Sequence, residues 1–144
     1  MVEFKGLNEV IERLDQVADV TKLQNAINKS VLSVERDAKQ IAPKDNGGLR
    51  NSIESKVETT NDSIRGYVYT PLEYAPYVEF GTGLFAEEGN GRQTPWSYQD
   101  DDGNWHTTTG QPPQPFMRPA LSQNKQNILG FIQEAIKWLI YIKQ

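Results

Sequence analysis

The sequence has 144 residues, which is enough for one ordinary domain with its own hydrophobic core. Its 15 basic and 19 acidic residues give a net charge of −4, and no run of Lys or Arg concentrates positive charge, which argues against a DNA-gripping surface. Cys is absent, which excludes disulfides and thiolate metal sites and permits a reducing compartment such as a cytoplasm.

Neither a signal peptide nor a membrane span is expected from the apolar pattern. Residues 2–5, Val-Glu-Phe-Lys, have neither a basic n-region nor an apolar h-region. The one membrane-like stretch, residues 128–142, contains Gln133, Glu134 and Lys137. It is also shorter than the ~20 apolar residues that span a bilayer. A helix buried in a core or an interface is therefore predicted there.

The first part of the chain predicts two helices. Apolar residues at helical spacing indicate a first, short amphipathic helix; they are Leu7, Val10, Ile11, Leu14 and Val17. Residues 19–21 interrupt this pattern, and Thr21 with Gln24 has the form of a capping box that begins a second, long helix. The apolar stripe of that helix consists of Leu23, Ile27, Val31, Val34, Ala38 and Ile41. Pro43 disfavours helical geometry at Ala42, so the helix should end there.

An antiparallel hairpin is predicted next. Residues 43–48 form a turn-rich connector, and residues 49–52 are expected to lead into a strand. Two alternating runs follow, over residues 53–59 and 64–70, on either side of a turn. One predicted face is formed by Ile53, Ser55, Val57 and Thr59 in the first run and by Ile64, Gly66 and Val68 in the second. The other face carries charged and tyrosine side chains, so one face of the hairpin should be solvated.

The segment over residues 74–82 joins aromatic residues to Pro and Gly. Pro76 suits a first helical turn, where its missing N–H has no cost. Tyr77 to Phe80 are predicted to form a single helical turn, and Gly81 is predicted to end it.

Residues 83–113 are rich in Gly, Pro, Gln and Asp. A loop of this length inside a compact domain is more often functional or mobile. Alternation at Trp96 and Tyr98, a turn at residues 102–103 and alternation at Trp105 and Thr107 predict a small hairpin that projects from the body.

The last helix completes an α+β fold. Pro119 is expected to open it, over about residues 120–141. Its predicted buried side consists of Leu121, Ile128, Ile132, Ala135, Ile136, Leu139 and Ile140. We predict one domain, residues 1–144, in which an antiparallel β-sheet packs against a long N-terminal helix and a C-terminal helix, with a protruding β-hairpin loop.

Candidate catalytic and ligand-binding residues are few. His106 is the single histidine, but it lies on the predicted hairpin, where a surface role is preferred over a hydrolase. Residues 100–102, three Asp, differ from a calcium loop because Gly103 comes too early and no Glu closes the loop. Neither residues 81–83 nor residues 47–48 have the composition of a phosphate-binding loop.

Glu79 is the remaining candidate for acid–base chemistry. It lies beside an aromatic cluster, which would raise its pKa, but the sequence places no second carboxylate next to it. Pairing of Glu79 with a basic side chain or a backbone donor is the preferred interpretation. We therefore predict that the protein is not an enzyme and has no catalytic residues, no cofactor and no metal site.

Aromatic side chains in residues 83–113 are the candidate subunit contacts. They are Phe85, Trp96, Tyr98 and Trp105. Aromatic residues on a protruding hairpin commonly serve as anchors that become buried against another protein. The same side chains suit stacking on sugars, so a carbohydrate-binding module remains as an alternative. Stacking on single-stranded bases is disfavoured because no positive groove accompanies these residues.

Three segments of the chain carry a family resemblance. They are Ala42-Pro43-Lys44-Asp45 with Gly48-Leu49-Arg50-Asn51-Ser52-Ile53, then Tyr74-Ala75 with Tyr77-Val78-Glu79-Phe80-Gly81-Thr82, then Gln114-Pro115-Phe116-Met117-Arg118-Pro119-Ala120-Leu121. In this order and spacing they resemble the minor tail-component, or neck, family of long-tailed bacteriophages. Trp96-Ser97-Tyr98 and Gly103-Asn104-Trp105-His106 resemble the loop of members from phages and prophages of Gram-positive bacteria. Relatives commonly continue from Pro-Lys-Asp directly into Thr-Gly-Leu, where this chain has Asn46-Gly47-Gly48.

The resemblance implies a non-enzymatic virion protein at the head–tail junction, with an α+β fold of antiparallel strands and two main helices. It implies a homo-oligomeric ring around the DNA channel, contacts with other neck and tail proteins, no specific DNA binding and no membrane association. The protein would reside in the virion, and in the host cytoplasm during assembly. A carbohydrate-binding module would instead contact the host cell wall. The structural-motif residues are Tyr74, Pro76, Tyr77, Glu79, Phe80, Gly81, Pro115, Phe116 and Pro119.

Overall fold

The computed structural model describes residues 17–44 and 47–142. In chain order its elements are α1 (Val17–Ile41), α2 (Gly47–Ser52), β1 (Glu54–Thr59), β2 (Ile64–Tyr69), α3 (Ala75–Phe80), a 3₁₀ turn (Gly83–Phe85), β3 (Trp96–Gln99), β4 (Trp105–Thr108) and α4 (Met117–Ile142). The short helix predicted from Leu7 to Val17 lies outside the described residues except for Val17.

Helix α1 runs through residues 19–21 without a break, so the predicted interruption and the capping box at Thr21 are wrong. The apolar stripe continues at helical spacing from Leu23 back to Val20, which packs against the core. Packing of this stripe outweighs the local preference of Thr21 for a helix start. The predicted end is confirmed, because the N–H of Ala42 donates the last helical bond and Pro43 follows.

Residues 49–52 form a helical turn, α2, where a lead into a strand was expected. The Ser52 hydroxyl donates to the carbonyl of Leu49 at 2.7 Å and closes this turn. The turn places the Leu49 side chain in the core, where it is fully buried. A strand would put Leu49 and Ile53 on one face but about 13 Å apart, whereas a helical turn brings side chains four residues apart within about 6 Å of each other, so their burial in one cluster favours the turn.

The hairpin predicted over residues 53–70 is confirmed. Strands β1 and β2 pair antiparallel, with Val57 opposite Gly66 and Glu54 opposite Tyr69. The inner face of β2 is buried at Ile64, Gly66 and Val68, and the outer face is exposed or half-exposed. Burial on one side only is typical of a two-stranded sheet that covers a helix.

Gly66 lets β2 lie directly on α1. A Cβ at this position would overlap the side chains of Val31 and Ile27, which are both buried and β-branched. Branched side chains in a helix have one strongly preferred χ1 rotamer, so they yield little room.

Replacement of Gly66 by Ala should therefore lower the free energy of unfolding by about 2 kcal/mol through overpacking. Urea unfolding followed by far-ultraviolet circular dichroism measures this change. Gly130→Ala is the matched control, because Gly130 lies within α4 and a Cβ there meets nothing within 4 Å. The control should be neutral or stabilising by up to about 1 kcal/mol. Equal effects of the two substitutions would contradict close packing at Gly66.

Helix α4 packs along α1 and completes the core. It begins at Met117, two residues before the expected start at Pro119, and includes the predicted buried residues Ile128, Ile132 and Ala135. Asn124 is fully buried between the helices, and its side-chain amide donates to Asp37 at 2.7 Å and to the carbonyl of Ala120 at 2.8 Å. Since α1 packs against both the sheet and α4, the predicted α+β fold is confirmed.

Residues 83–113, called the arm below, extend from the body and carry the predicted hairpin. Strands β3 and β4 pair antiparallel, with Tyr98 opposite His106 and Gln99 opposite Trp105. Gly103, with φ of 85°, supplies the left-handed residue of the connecting turn. The main contacts of these strands are with each other, so the hairpin protrudes as expected.

Candidate interaction site

The base of the arm is fixed by a buried carboxylate. Glu79, near the end of α3, accepts hydrogen bonds from three backbone N–H groups at the start of α4: Phe116 at 2.8 Å, Met117 at 3.0 Å and Arg118 at 3.1 Å. These donors would otherwise lack partners, as the first N–H groups of any helix do. The negative charge also lies where the helix dipole favours it. Glu79 thus caps a helix that begins 38 residues later in the sequence.

Arg118 links the same carboxylate to the arm. Its Nε donates to Glu79 at 3.0 Å, and its Nη1 is 2.9 Å from a carboxylate oxygen of Glu87. The guanidinium also lies 4.7 Å from the centre of the Phe80 ring, which is within the range of a cation–π contact. One side chain therefore joins α3, α4 and the first residues of the arm.

These contacts decide the protonation of Glu79. Burial by itself raises the pKa of the carboxyl, but hydrogen bonds from the Phe116, Met117 and Arg118 N–H groups and from the Arg118 side chain more than offset this. The pKa of Glu79 is therefore below its ordinary value of 4.5. The sequence-based expectation that aromatic neighbours raise the pKa of Glu79 is therefore wrong. The ionised carboxylate instead accepts the hydrogen bonds at the start of α4.

The two ends of the arm are also joined by backbone hydrogen bonds. Thr82 donates to the carbonyl of Gln111 and Leu84 donates to that of Thr109, both at 2.9 Å. Gly83 and Gly110 lie at the crossing of the two segments, with φ of 60° and 119°. A Cβ on Gly110 would overlap the Thr82 carbonyl, and one on Gly83 would overlap the Thr109 carbonyl. We call these four segment-joining residues, Thr82, Gly83, Thr109 and Gly110, the clasp.

A groove of about 580 Å³ lies between α3 and the arm. Its apolar lining includes Tyr77, Phe80, Ala86 and Trp96. Tyr77 is 62% exposed and Phe80 is 43% exposed, although both belong to a short helix beside the core. The exposure follows from the position of α3, whose inward side is taken by Ala75 and Glu79.

The two faces of the hairpin differ. Directly opposite residues share a face, so Trp105 and Gln99 lie on one face, with the Trp105 indole 72% exposed. Tyr98 and His106 lie on the other face with stacked rings, 5.4 Å between centroids. Trp96 shares that second face and continues it into the groove.

Of the predicted contact residues, Phe85, Tyr98 and Trp105 are exposed, and Trp96 is half-buried in the groove. Among the motif residues, Tyr74 precedes α3 and Pro76 lies in its first turn, whereas Gly81 ends it with φ of 79°. Phe116 is fully buried, Pro115 is exposed before α4, and Pro119 is half-buried in its first turn.

Sequence reasoning missed Arg118 and Arg92. Arg118 lies in the second of the two aromatic and Pro-containing segments, and its charge is opposite to that of Glu79 in the first. That complementarity was the available signal. Arg92 lies over the Trp96 ring at 5.7 Å, and no pattern in the sequence indicated this contact.

The acidic turn of the hairpin is held together by its own contacts. One oxygen of Asp100 accepts from the backbone N–H groups of Asp102 and Asn104, and the other lies 2.7 Å from Nε2 of His106. The bond to His106, followed by the backbone bond from Asn104, holds the pKa of Asp100 below its ordinary value. Over the described ranges, no group of three or more His, Cys, Asp or Glu side chains is arranged to hold a metal ion.

None of the helices in the described part of the chain combines the length and apolar character needed to cross a membrane. No curated protein matches the chain significantly, and no solved structure does so.

The chain matches a known protein family. Its description is "Bacteriophage HK97-gp10, putative tail-component", and the match covers residues 5–81. This range is more than half of the 144 residues and includes α1, the sheet and α3 with Glu79. It ends at Gly81, where the arm is about to begin, so the arm and α4 lie outside it. The chain therefore belongs to the HK97-gp10-like family of bacteriophage tail components.

Proposed function

We propose that this protein is a non-enzymatic structural part of the virion that acts at the head–tail junction. There, copies of a single 144-residue domain form a ring around the DNA channel and help to join or complete the tail. The partners would be neighbouring neck and tail proteins, met in the host cytoplasm during assembly. Membership of a tail-component family supports the virion assignment. The net charge of −4 suits a channel wall, since phosphates are repelled and DNA does not adhere.

The observation that carries this proposal is an exposed indole on a fixed projection. Trp105 is 72% exposed at the outer part of the hairpin, whereas the base of the arm is held by Glu79, Arg118 and the clasp. A large apolar ring held away from the body suits burial against another protein, where tryptophan is among the commonest anchors. A fixed base also reduces the conformational entropy lost on docking.

Replacement of Trp105 by Ala tests the proposal. The free energy of unfolding should change by no more than about 0.5 kcal/mol, because the indole makes little contact in the free chain. Joining of heads to tails, counted by electron microscopy of lysates, should be lost. Leu129→Ala is the control, because Leu129 is 49% exposed on α4, away from the arm. Normal joining by the Trp105 variant would show that the arm has no docking role.

Carbohydrate binding on the host cell wall is the second candidate. It is favoured by one feature: Gln99 and Thr107 share the exposed face of Trp105, so a ring suited to stacking has hydrogen-bonding groups beside it. A glycan array probed with the purified protein separates the two functions. Specific binding that is lost in the Trp105→Ala variant would favour the sugar platform over protein docking.

A further inference from the structure

The groove between α3 and the arm has an apolar interior and an acidic rim. Tyr77, Phe80 and Trp96 supply most of its aromatic surface, and Glu87 and Glu88 lie at its edge. A volume of about 580 Å³ is within the range of pockets that hold a ligand or a group of side chains. Tyr77 and Phe80 expose a large aromatic surface on one side of a six-residue helix, and such surface suits contact with another molecule.

Of the two carboxylates at the rim, only that of Glu88 is available to pair with a ligand. Glu87 is paired with Arg118, but within residues 17–44 and 47–142 Glu88 has no hydrogen-bond or ion-pair partner. The basic group of the rim, Arg92, is turned onto the Trp96 ring and donates to the Thr94 hydroxyl. A ligand that enters the groove therefore meets a free carboxylate beside an apolar surface.

The distribution of charge along the chain points the same way. The arm holds five of the 19 acidic residues and one of the 15 basic residues, which leaves 14 of each sign in the rest of the chain. The whole net charge of −4 thus belongs to the arm. A second copy that offered its own arm to the groove would bring like charge against Glu88, which is unfavourable at a contact.

We propose that the groove binds a basic, apolar segment of a different virion protein, with an aromatic or aliphatic side chain inside and a Lys or Arg beside Glu88. This inference rests on the proposed function, since it names the kind of partner that the arm meets. Burial of the apolar side chain would supply most of the affinity. The charge pair would supply orientation and a faster encounter.

Biolayer interferometry tests whether the groove binds such a partner. The protein is measured against purified connector, tail-tube and other neck proteins of the same phage, one at a time. One of them should bind, and its affinity should fall as salt is raised. Tyr77→Ala should weaken that binding by about tenfold or more, as loss of a central anchor does. Tyr69→Ala is the control, because Tyr69 is also exposed but lies on the outer face of β2.

Glu88→Lys provides a second variant that should fold normally, because Glu88 is exposed and forms no hydrogen bond or ion pair with the part of the chain that the structure describes. It should abolish the salt-dependent part of the binding, and reversal of the partner's Lys or Arg to Glu should restore it. The inference is overturned if the protein binds only a second copy of itself, if Tyr77→Ala and Glu88→Lys leave the affinity unchanged, or if none of the virion proteins binds.

The joining assay distinguishes failure of this inference from failure of the proposed function. If Tyr77→Ala particles join normally while Trp105→Ala particles do not, the groove inference is wrong and the docking role of the arm stands. If both variants join normally, the proposed function itself is wrong.

Discussion

Replacement of Glu79 by Ala should lower the free energy of unfolding by about 3 kcal/mol, which is a large share of the stability of a domain of this size. The carboxylate satisfies three N–H groups at the start of α4, and that of Phe116 is buried where water cannot replace it. Each orphaned buried donor costs about 1–3 kcal/mol, and the favourable charge at the helix N-terminus is lost as well. Urea unfolding at neutral pH measures the change.

Two further substitutions separate the contributions at Glu79. Glu79→Gln keeps the shape and one acceptor oxygen, so it should have a smaller effect than Ala. Glu87→Gln removes the other carboxylate that Arg118 contacts, but both partners there are largely solvated, so stability should hardly change. If Glu87→Gln destabilised the protein as much as Glu79→Ala, the surface pair would be the main link and the helix cap would be secondary.

The pH dependence of stability follows from the direction of the Glu79 shift. The folded-state pKa is below 4.5, so between these two values the unfolded chain binds more protons than the folded one. The stability that Glu79 contributes is therefore fully present above pH 4.5 and is lost as pH falls through the folded-state pKa. The Glu79→Gln protein should show a flatter loss of stability with acidification than the unaltered chain.

The sheet and the hairpin of the arm were predictable because their signals are local. Alternation from Ile53 to Val57 and from Ile64 to Val68 has a period of two, which only a strand with one buried face produces. The turn at residues 102–103 similarly fixes the register of β3 and β4 over a few residues. The end of α1 at Pro43 is equally a property of neighbouring residues.

Two local predictions were wrong because contacts distant in sequence decide those segments. Thr21 is suited to a helix start, but Val20 and Leu23 pack against the core as one surface, and this keeps α1 continuous. Residues 49–52 contain only one apolar side chain, and the need to bury Leu49 beside Ile53 selects a helical turn. Neither outcome is encoded in a window of a few residues.

The contacts at the base of the arm could not be predicted from the sequence. The two segments with aromatic residues and Pro were recognisable, yet nothing in the sequence showed that Glu79 of the first caps the helix begun by the second. The groove lies beside this joint, where Arg118 contacts both Glu79 of α3 and Glu87 of the arm, and the N–H of Glu87 donates to the carbonyl of Phe80 at 2.9 Å.

Replacement of Gly110 by Ala should be the second strongly destabilising change, with a loss of about 3 kcal/mol in the free energy of unfolding. The φ of 119° is unfavourable for any residue with a Cβ, and the added carbon would overlap the carbonyl of Thr82. Since this neighbour is backbone, the two ends of the arm must separate. The bonds from Thr82 to Gln111 and from Leu84 to Thr109 would then be lost.

Gly89→Ala distinguishes the clash from the backbone penalty. Gly89 has a φ of 68° in the same arm, but a Cβ there meets nothing within 4 Å, so only a cost of about 1 kcal/mol for the left-handed backbone is expected.

Head–tail joining should fail for the Gly110 variant even at a temperature where its body remains folded, because the arm no longer holds Trp105 in place. Hydrogen exchange at Thr82 and Leu84 should rise in that variant and not in the Gly89 control. If Gly110→Ala particles join normally while this exchange rises, a fixed arm is not required for docking. Trp105 would then bind its partner even when the arm is loosened.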